Sequence, residues 1–296
     1  MTQHTTIGTK KKQSEGMVHG GMETILWRLL RNIVLGIGFL LILFPLYLVF
    51  VNSFKPLTEA SQSFFALPRS INLHNIRALL NSQNYFVYVK NSALISITSM
   101  AVVALFVPLV SYAIARNYDR GYYKFLYFYI LLGLFIPSQV ILLPIVKQMA
   151  SLKMMNQWGL ILLYITFSLT RGVFLFVNYI RSLPIEIEKA AQIDGCTVVQ
   201  TYFRIVVHLI RPMISTLVIM DVLWYWNDFM LPLFILNKSR ELWTLPLFQY
   251  NFKTEYSFDY PMAFTAYLLS LLPVLVVYCA CQKHIINGLT AGAVKS

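Results

Sequence analysis

Long apolar runs separated by short polar segments form the main pattern of this 296-residue chain. Four runs contain no charged residue and span residues 33–51, 91–115, 125–146 and 261–282. Each exceeds the roughly 18 residues that indicate a membrane-spanning helix. Two further runs, 157–180 and 212–236, carry isolated charges. The pattern predicts an all-α integral membrane protein with six transmembrane helices.

The composition agrees with a protein that is surrounded by lipid. Only 12% of the residues are charged and 57% are hydrophobic, whereas soluble domains carry about 25% charged residues. The mean hydropathy is +0.62. These values exclude an ordinary soluble domain as the main part of the chain.

The net charge of +12 is distributed unevenly along the six predicted spans. With the N-terminus in the cytosol, fourteen of the 24 Lys and Arg residues fall in cytosolic segments and nine in outer loops. Positive residues near span ends favour the cytosolic side, so we predict that both termini are cytosolic. The basic charge is then explained by topology rather than by nucleic-acid binding.

The N-terminal basic cluster does not resemble a cleaved signal peptide, because the apolar run after it is too long and lacks a small-residue cleavage site. We therefore predict three regions. Residues 1–24 form a cytosolic tail, residues 25–283 form the six-helix transmembrane domain, and residues 284–296 form a second cytosolic tail.

The sequence shows no catalytic or metal-binding motif. Cys196, Cys279 and Cys281 form no disulfide framework, and the five histidines lack metal-ligand spacing. A phosphate-binding glycine loop and a nucleophile elbow are also missing from the sequence. We expect no catalytic site, no metal site and no cofactor on this chain.

The segment 182–208 lies between the fourth and fifth predicted spans and contains the polar stretch "EKAAQIDG". Pro184 is suited to the first turn of a helix. Glu186 and Glu188 then lie near the positive end of the helix dipole. Gly195 is suited to a left-handed stop. These residues predict a short cytosolic helix that ends in a sharp turn.

A second amphipathic helix is predicted after the turn, because apolar residues recur there at helical spacing. These residues are Val198, Val199, Tyr202, Phe203 and Val206. Two interpretations stay open on physical grounds. The helix-turn-helix is either a simple connector between two spans or a docking surface for a soluble partner.

The stretch "EKAAQIDG" resembles the cytoplasmic loop of binding-protein-dependent ABC importer permeases. Four other stretches are similar to the carbohydrate-uptake branch of that family, and most similar to the smaller six-span subunit of maltose-type importers. They are "VNSFKP", "YVKNSALIS", "WYWNDFMLPL" and the C-terminal "GLTAGAVK". The resemblance covers nearly the whole chain from about Trp27 onward.

The resemblance implies a permease subunit in the cytoplasmic (inner) membrane of a prokaryote, which translocates a sugar or an oligosaccharide. The implied partners are a second homologous permease, two ATPase subunits and an extracytoplasmic solute-binding protein. ATP and Mg would bind to the ATPase subunits, and this chain would hydrolyse nothing.

The resemblance also implies two sets of contacts with the ATPase. The coupling set is Glu188, Lys189, Ala190, Ala191, Asp194 and Gly195. The tail set is Gly288, Leu289, Thr290 and Gly292. The family usually has Glu immediately before the paired alanines, where this chain has Lys189. Glu188 is one position earlier, about 100° around the helix.

Charges inside a span are costly and usually face protein or water, so Arg171, Asp221 and Asp228 need an explanation. One interpretation is an internal charge network that includes Arg171 and Asp221. The other is that Tyr225, Trp226, Asn227 and Asp228 line the translocation pathway, since aromatic rings stack on sugars and polar groups bind hydroxyls.

Two other functions are alternatives to the permease. A self-sufficient, ion-coupled secondary transporter could use the three buried charges as a proton relay, but such proteins often contain inverted repeats and more spans. No internal repeat is visible in this sequence. A membrane-embedded enzyme would need a convergent set of catalytic residues, which the sequence does not show.

Overall fold

The computed structural model describes residues 16–82, 84–250 and 259–293. Every regular element in these ranges is helical, with a π-helical stretch at Tyr202–Val206 and a 3-10 turn at Arg240–Leu242. The α-helices are α1 (Gly16–Ser53), α2 (Leu57–Gln62), α3 (His74–Asn81), α4 (Tyr85–Arg116), α5 (Gly121–Phe135), α6 (Ser138–Ser151), α7 (Gln157–Arg181), α8 (Glu186–Ile193), α9 (Val198–Thr201), α10 (Val207–Asn227), α11 (Met230–Leu236), α12 (Leu245–Gln249) and α13 (Tyr260–Ala293).

Four helical segments in the described ranges are long and apolar enough to cross a membrane. They are Trp27–Ser53 within α1, α4, α7, and the continuous run Val198–Asn227. The pair α5 and α6 makes a fifth span if the two helices cross as one. The protein is therefore an all-helical membrane protein with four to five candidate spans.

The third predicted span, 125–146, is not one straight helix. α5 and α6 meet at an angle of 104°. Pro137 stands immediately before α6, and Ile136 before it has an extended backbone with φ −92° and ψ 113°. Proline disfavours the helical conformation of the residue that precedes it, so the helix ends at Phe135 and a new one begins at Ser138. The break was not predicted, because the run 125–146 is uncharged throughout.

The fifth predicted span, 212–236, also differs from the structure. Its helix begins earlier, because α9 and the π-helical stretch lead directly into α10. It is interrupted at Asp228, whose backbone is extended with φ −69° and ψ 129°. The Asp228 carboxylate accepts a hydrogen bond from the backbone N–H of Met230 at 3.1 Å, at the start of α11. Asp228 is therefore a helix-end group.

The sixth predicted span, 261–282, lies within α13. The part of α13 that qualifies as an apolar helix among the described residues is Tyr260–Val276. It is shorter than the roughly 18 residues of a full span. The cytosolic position of the two predicted tails stays a prediction. α1 begins at Gly16, inside the predicted tail 1–24, and residues 1–15 lie outside the described ranges.

The centre of the bundle is formed by α4, α7 and α10, with α4 packed against both of the others. Val173, Phe176 and Val177 of α7 are completely buried. At Gly172, an added Cβ would lie 2.4 Å from Cγ1 of Val107 on α4 and 3.5 Å from Cδ2 of Leu217 on α10. The missing side chain therefore allows the three helices to approach one another closely.

The stretch "VNSFKP" at the end of α1 binds the backbone of residues 63–66, in the segment that follows α1. The fully buried ammonium of Lys55 donates hydrogen bonds to the backbone carbonyls of Ser63, Phe64 and Ala66. Asn52 donates to the carbonyl of Phe64 as well. Burial lowers the pKa of Lys55, and the nearby Glu59 carboxylate opposes this effect. The three carbonyls replace the water that the charged group has lost.

Candidate functional site

The loop between α7 and α10 contains the short helix α8, which begins at Glu186. Pro184 lies two residues before this first helical residue and not at it, so the predicted start is slightly early. Glu186 and Glu188 stand in the first turn of α8. Their carboxylates offset the positive end of the helix dipole, which has no side-chain cap here.

α8 ends in a Schellman turn at Gly195. The Cys196 N–H donates to the Ala191 carbonyl at 2.9 Å, and the Gly195 N–H donates to the Gln192 carbonyl at 3.1 Å. Gly195 has a φ of +89°, in the left-handed region. The predicted left-handed stop is therefore confirmed, and glycine is suited to it because it has no Cβ.

The second arm starts at Thr197 with a reciprocal cap. The Gln200 N–H donates to Thr197 Oγ1 at 3.3 Å, and the Thr197 N–H donates to Gln200 Oε1 at 2.9 Å. This capping box fixes the direction in which the chain re-enters a helix. The arm then passes through the π-helical stretch Tyr202–Val206 into α10 without a break.

The six residues of the predicted coupling set divide between two sides of the loop. Lys189, Ala190, Asp194 and Gly195 are exposed, whereas Glu188 and Ala191 are buried. Beside them Ile193 is 86% exposed. The exposed side therefore combines a lysine with apolar surface at the tip of the loop. A groove of about 470 Å³ lies next to it, between α8, the second arm and the end of α4.

Glu188 points toward α4. One of its carboxylate oxygens accepts two N–H groups from Arg116, one of them at 2.8 Å from Nε. The other oxygen accepts the hydroxyl of Tyr112 at 2.8 Å. Arg116 and Tyr112 were not predicted from the sequence as partners of Glu188. The sequence does place Arg116 at the end of an apolar run, where a charged residue is expected at the end of a span. That position does not indicate which residue the arginine would bind.

Arg171 and Asp221 are brought together between α7 and α10. An N–H of Arg171 donates to Asp221 Oδ1 at 2.7 Å. The Asp221 side chain is 1% exposed, whereas that of Arg171 is 37% exposed. The Arg171 guanidinium also lies over the ring of Trp224, 4.6 Å from its centroid. The aspartate of this pair is thus buried, whereas the arginine is partly exposed.

The network continues along α7 through Ser168 and Tyr164. The Ser168 and Tyr225 hydroxyls are 2.5 Å apart, and the Tyr225 hydroxyl donates to Asp221 Oδ2 at 3.4 Å. The Tyr164 hydroxyl donates to Asp228 Oδ2 at 2.9 Å. Asp221 and Asp228, seven positions apart, therefore both bind α7.

The four residues of the predicted pathway set do not share one environment. Tyr225 is buried and Asp228 is bound to Tyr164, so both contact α7. Trp226 is half-buried and Asn227 is exposed. These two line a cavity of about 390 Å³, together with Tyr250 of the segment after α12 and Tyr267 of α13.

The predicted tail set, Gly288, Leu289, Thr290 and Gly292, lies at the end of α13, whose backbone is helical through Ala293. The side chains of this segment lie outside the described residues. In the described ranges, no three His, Cys, Asp or Glu side chains are grouped as a metal site would require.

Comparison with known proteins identifies the family. The family described as "Binding-protein-dependent transport system inner membrane component" matches residues 108–290. The multiple sugar-binding transport system permease protein MsmG of Streptococcus mutans is 43% identical over 267 residues, 90% of this chain and 96% of that protein. The probable starch degradation products transport system permease protein AmyC of Thermoanaerobacterium thermosulfurigenes is 30% identical, over 85% of this chain and 91% of that protein.

A solved structure has the same fold. The structure of a bacterial ABC transporter involved in the import of the acidic polysaccharide alginate contains a chain that matches with a TM-score of 0.76 and 20% identity, over 93% of this chain and 99% of that one. With a family match over more than half its length and a relative 43% identical, this chain belongs to the binding-protein-dependent ABC transport permeases.

Proposed function

We propose that this chain is one permease subunit of an ABC importer that carries a sugar or an oligosaccharide across the cytoplasmic membrane of a prokaryote. The observation that carries the proposal is the 43% identity, over 90% of the chain, with a permease named for multiple sugars. Other relatives are named for starch degradation products and arabinooligosaccharides. The complete importer would contain a second homologous permease, two ATPase subunits and an extracytoplasmic solute-binding protein, with ATP and Mg on the ATPases.

The loop 182–208 is proposed as the docking site for one ATPase. Its support is the left-handed turn at Gly195 and the exposed surface around Lys189 and Ile193. Closure of the ATPases on ATP would displace this loop as a nearly rigid body, and the spans would follow by rigid-body movement. This chain would contribute half of the pathway and one docking site.

Trp226 and Asn227 are proposed to face the sugar. Their support is the cavity that they share with Tyr250 and Tyr267, because ligand pockets combine aromatic rings with a few polar groups. Tyr225 and Asp228 would not contact the sugar. They would position Trp226 and Asn227 by holding the end of α10 against α7. The finer choice of sugar would then depend on the binding protein and on the second permease.

We propose six spans, with both termini and the loop 182–208 in the cytosol. The topology can be tested by labelling single cysteines, which are introduced into a variant whose three native cysteines are replaced. A cysteine at Ser61, which is exposed after α1, should react with an impermeant maleimide from the outside of cells. Cysteines at Arg120 and Asp194 should react only after the membrane is opened. Labelling at Ser61 from the cytosolic side alone would contradict this topology.

The C-terminal residues 284–296 are proposed to contact the ATPase dimer, through Gly288, Leu289, Thr290 and Gly292. Deletion of residues 288–296 should reduce the amount of ATPase that co-purifies with the permease, while the bundle stays inserted. A matched control replaces the same residues by a flexible Gly-Ser segment of equal length, which should not restore binding. Unchanged ATPase retention in both variants would show that the end of the chain is passive.

The function is tested by uptake of labelled sugars in cells that lack only this chain. The panel contains maltotriose, an arabinotriose and diacetylchitobiose, which are chosen from the substrates named for the relatives. Restoring the chain should restore ATP-dependent uptake of at least one of them, and only together with the partner permease and the ATPase. Uptake by the purified chain alone in liposomes, driven by an ion gradient, would instead show a secondary transporter.

A further inference from the structure

The coupling loop makes a contact far from itself in sequence, at the end of α4. Glu188 lies 72 positions after Arg116 and 76 after Tyr112, and binds both. We propose that Glu188, Arg116 and Tyr112 form a latch that fixes α8 to α4, so that a displacement of α8 moves the α4 span directly. This inference rests on the proposed docking of the ATPase to the loop.

The contacts of Glu188 leave its carboxylate no room for an external partner. The residue is 4% exposed, and both of its oxygens are occupied, one by Arg116 and the other by Tyr112. The Arg116 side chain is itself only 14% exposed. A buried carboxylate is costly unless it is paired and hydrogen-bonded, and here it is both. Glu188 is therefore a positioning residue, and the surface offered to the ATPase consists of its exposed neighbours.

The covalent connections of α8 do not fix its orientation by themselves. Residues 182–185 separate it from α7, and residues 194–197 separate it from α9. The N-terminal end of α8 has no side-chain cap. Without a contact to another helix, α8 could rotate on these two connections. Part of the displacement of α8 by the ATPase would then turn α8 in place instead of moving the spans. The ion pair to Arg116 opposes it.

The latch also links the loop to the start of α10. Tyr112 packs on Tyr202, with ring centroids 5.0 Å apart. Tyr202 is the first residue of the π-helical stretch, and such stretches are frequent at functional sites. α4 itself packs along α7 and α10, as the close approach at Gly172 shows. A movement of the end of α4 therefore reaches the three central helices together.

The test compares three variants with the wild type, each in the complete importer reconstituted with its partner permease, ATPase and binding protein. Glu188→Gln keeps the shape of the side chain but removes its charge. Glu188→Arg with Arg116→Glu exchanges the two charges. Glu186→Gln is the matched control, because Glu186 is an exposed acid in the same turn of α8. Each form is assayed for ATP hydrolysis and for maltotriose, arabinotriose and diacetylchitobiose transported per ATP.

We expect Glu188→Gln to assemble and to hydrolyse ATP, with the sugar transported per ATP lowered about tenfold, the scale of one hydrogen bond to a charged group. The exchanged pair should recover a substantial part of this ratio, and Glu186→Gln should equal the wild type. A second readout is the distance between spin labels at Asn117 and Lys189, which should be narrow in the wild type and broad in Glu188→Gln.

Two results would overturn the latch. One is a wild-type ratio and a narrow distance distribution in Glu188→Gln. The other is a failure of both Glu188 variants to assemble, which would show that the residue serves folding only. A wild-type complex that transports none of the three sugars, or that does not retain its ATPase, would count against the proposed function itself and is recognised before any variant is measured.

Discussion

Replacement of Arg171 by leucine is expected to destabilise the protein by about 3–5 kcal/mol, the range for removal of one partner from a buried ion pair. The reason is that Asp221, 1% exposed, would be left between α7 and α10 with the uncharged hydroxyls of Ser168 and Tyr225 as its side-chain partners. An uncompensated carboxylate inside a membrane bundle has neither water nor a cation to bind.

The reverse substitution, Asp221→Leu, should cost clearly less. The Arg171 side chain is 37% exposed and also lies over Trp224, so its charge is not enclosed by the bundle and keeps its contact with the aromatic ring. The double variant Arg171→Leu/Asp221→Leu is the matched control, because replacement of a whole buried pair by apolar residues is often nearly neutral. Its stability should exceed that of Arg171→Leu alone.

The measurement is thermal unfolding of the three purified variants in detergent, followed by tryptophan fluorescence and by size-exclusion chromatography. We expect the order Arg171→Leu as the least stable, then Asp221→Leu, then the double variant near the wild type. Equal losses in the two single variants would show that the difference in exposure does not matter. A double variant as unstable as Arg171→Leu would show that the pair is not the cause.

The second large effect is expected at Gly195, where Gly195→Val should abolish coupled transport while the protein stays in the membrane. An added Cβ would meet nothing within 4 Å, so the effect would come from the backbone alone. The φ of +89° is strongly unfavourable for a β-branched residue. A strained residue of this kind costs about 1–3 kcal/mol, enough to shift the turn and redirect α8.

Gly195→Asn is the matched control, since asparagine enters the left-handed region more readily than other non-glycine residues. Sugar uptake and ATPase co-purification should be nearly normal in Gly195→Asn and strongly reduced in Gly195→Val, at equal membrane levels. If valine and asparagine behave alike, the left-handed turn has no part in the coupling.

Some of these features were predictable from the sequence because they depend on local signals. Long apolar runs locate α1, α4 and α7, since burial in lipid requires a continuous apolar stretch. Gly195 was predictable as a stop because few other residues adopt a positive φ. The contact between Arg171 and Asp221 was one of two interpretations of the intramembrane charges, and it was suggested by the cost of leaving either charge alone in the membrane.

Other features depend on which helices meet, and the sequence does not contain that information locally. Glu188 points inward because the end of α4 presents Arg116 at that place, although the two residues are 72 positions apart. The π-helical stretch at Tyr202 has no residue that requires it. The bend at Ile136 and Pro137 did have a local signal, which is the proline itself. The run 125–146 was nevertheless predicted as one span, because it is uncharged and long enough to cross the membrane.

The central claim is that the loop 182–208 docks to an ATPase subunit, and photo-crosslinking tests it most directly. A photoreactive phenylalanine analogue is placed at Ile193, which is 86% exposed at the tip of the loop. The control position is Phe135, which is 81% exposed at the end of α5 and lies within a predicted span. On irradiation of membranes containing the assembled complex, position 193 should crosslink to the ATPase and position 135 should not. Crosslinks from position 193 to lipid alone, or equal ATPase crosslinking from both positions, would contradict the account.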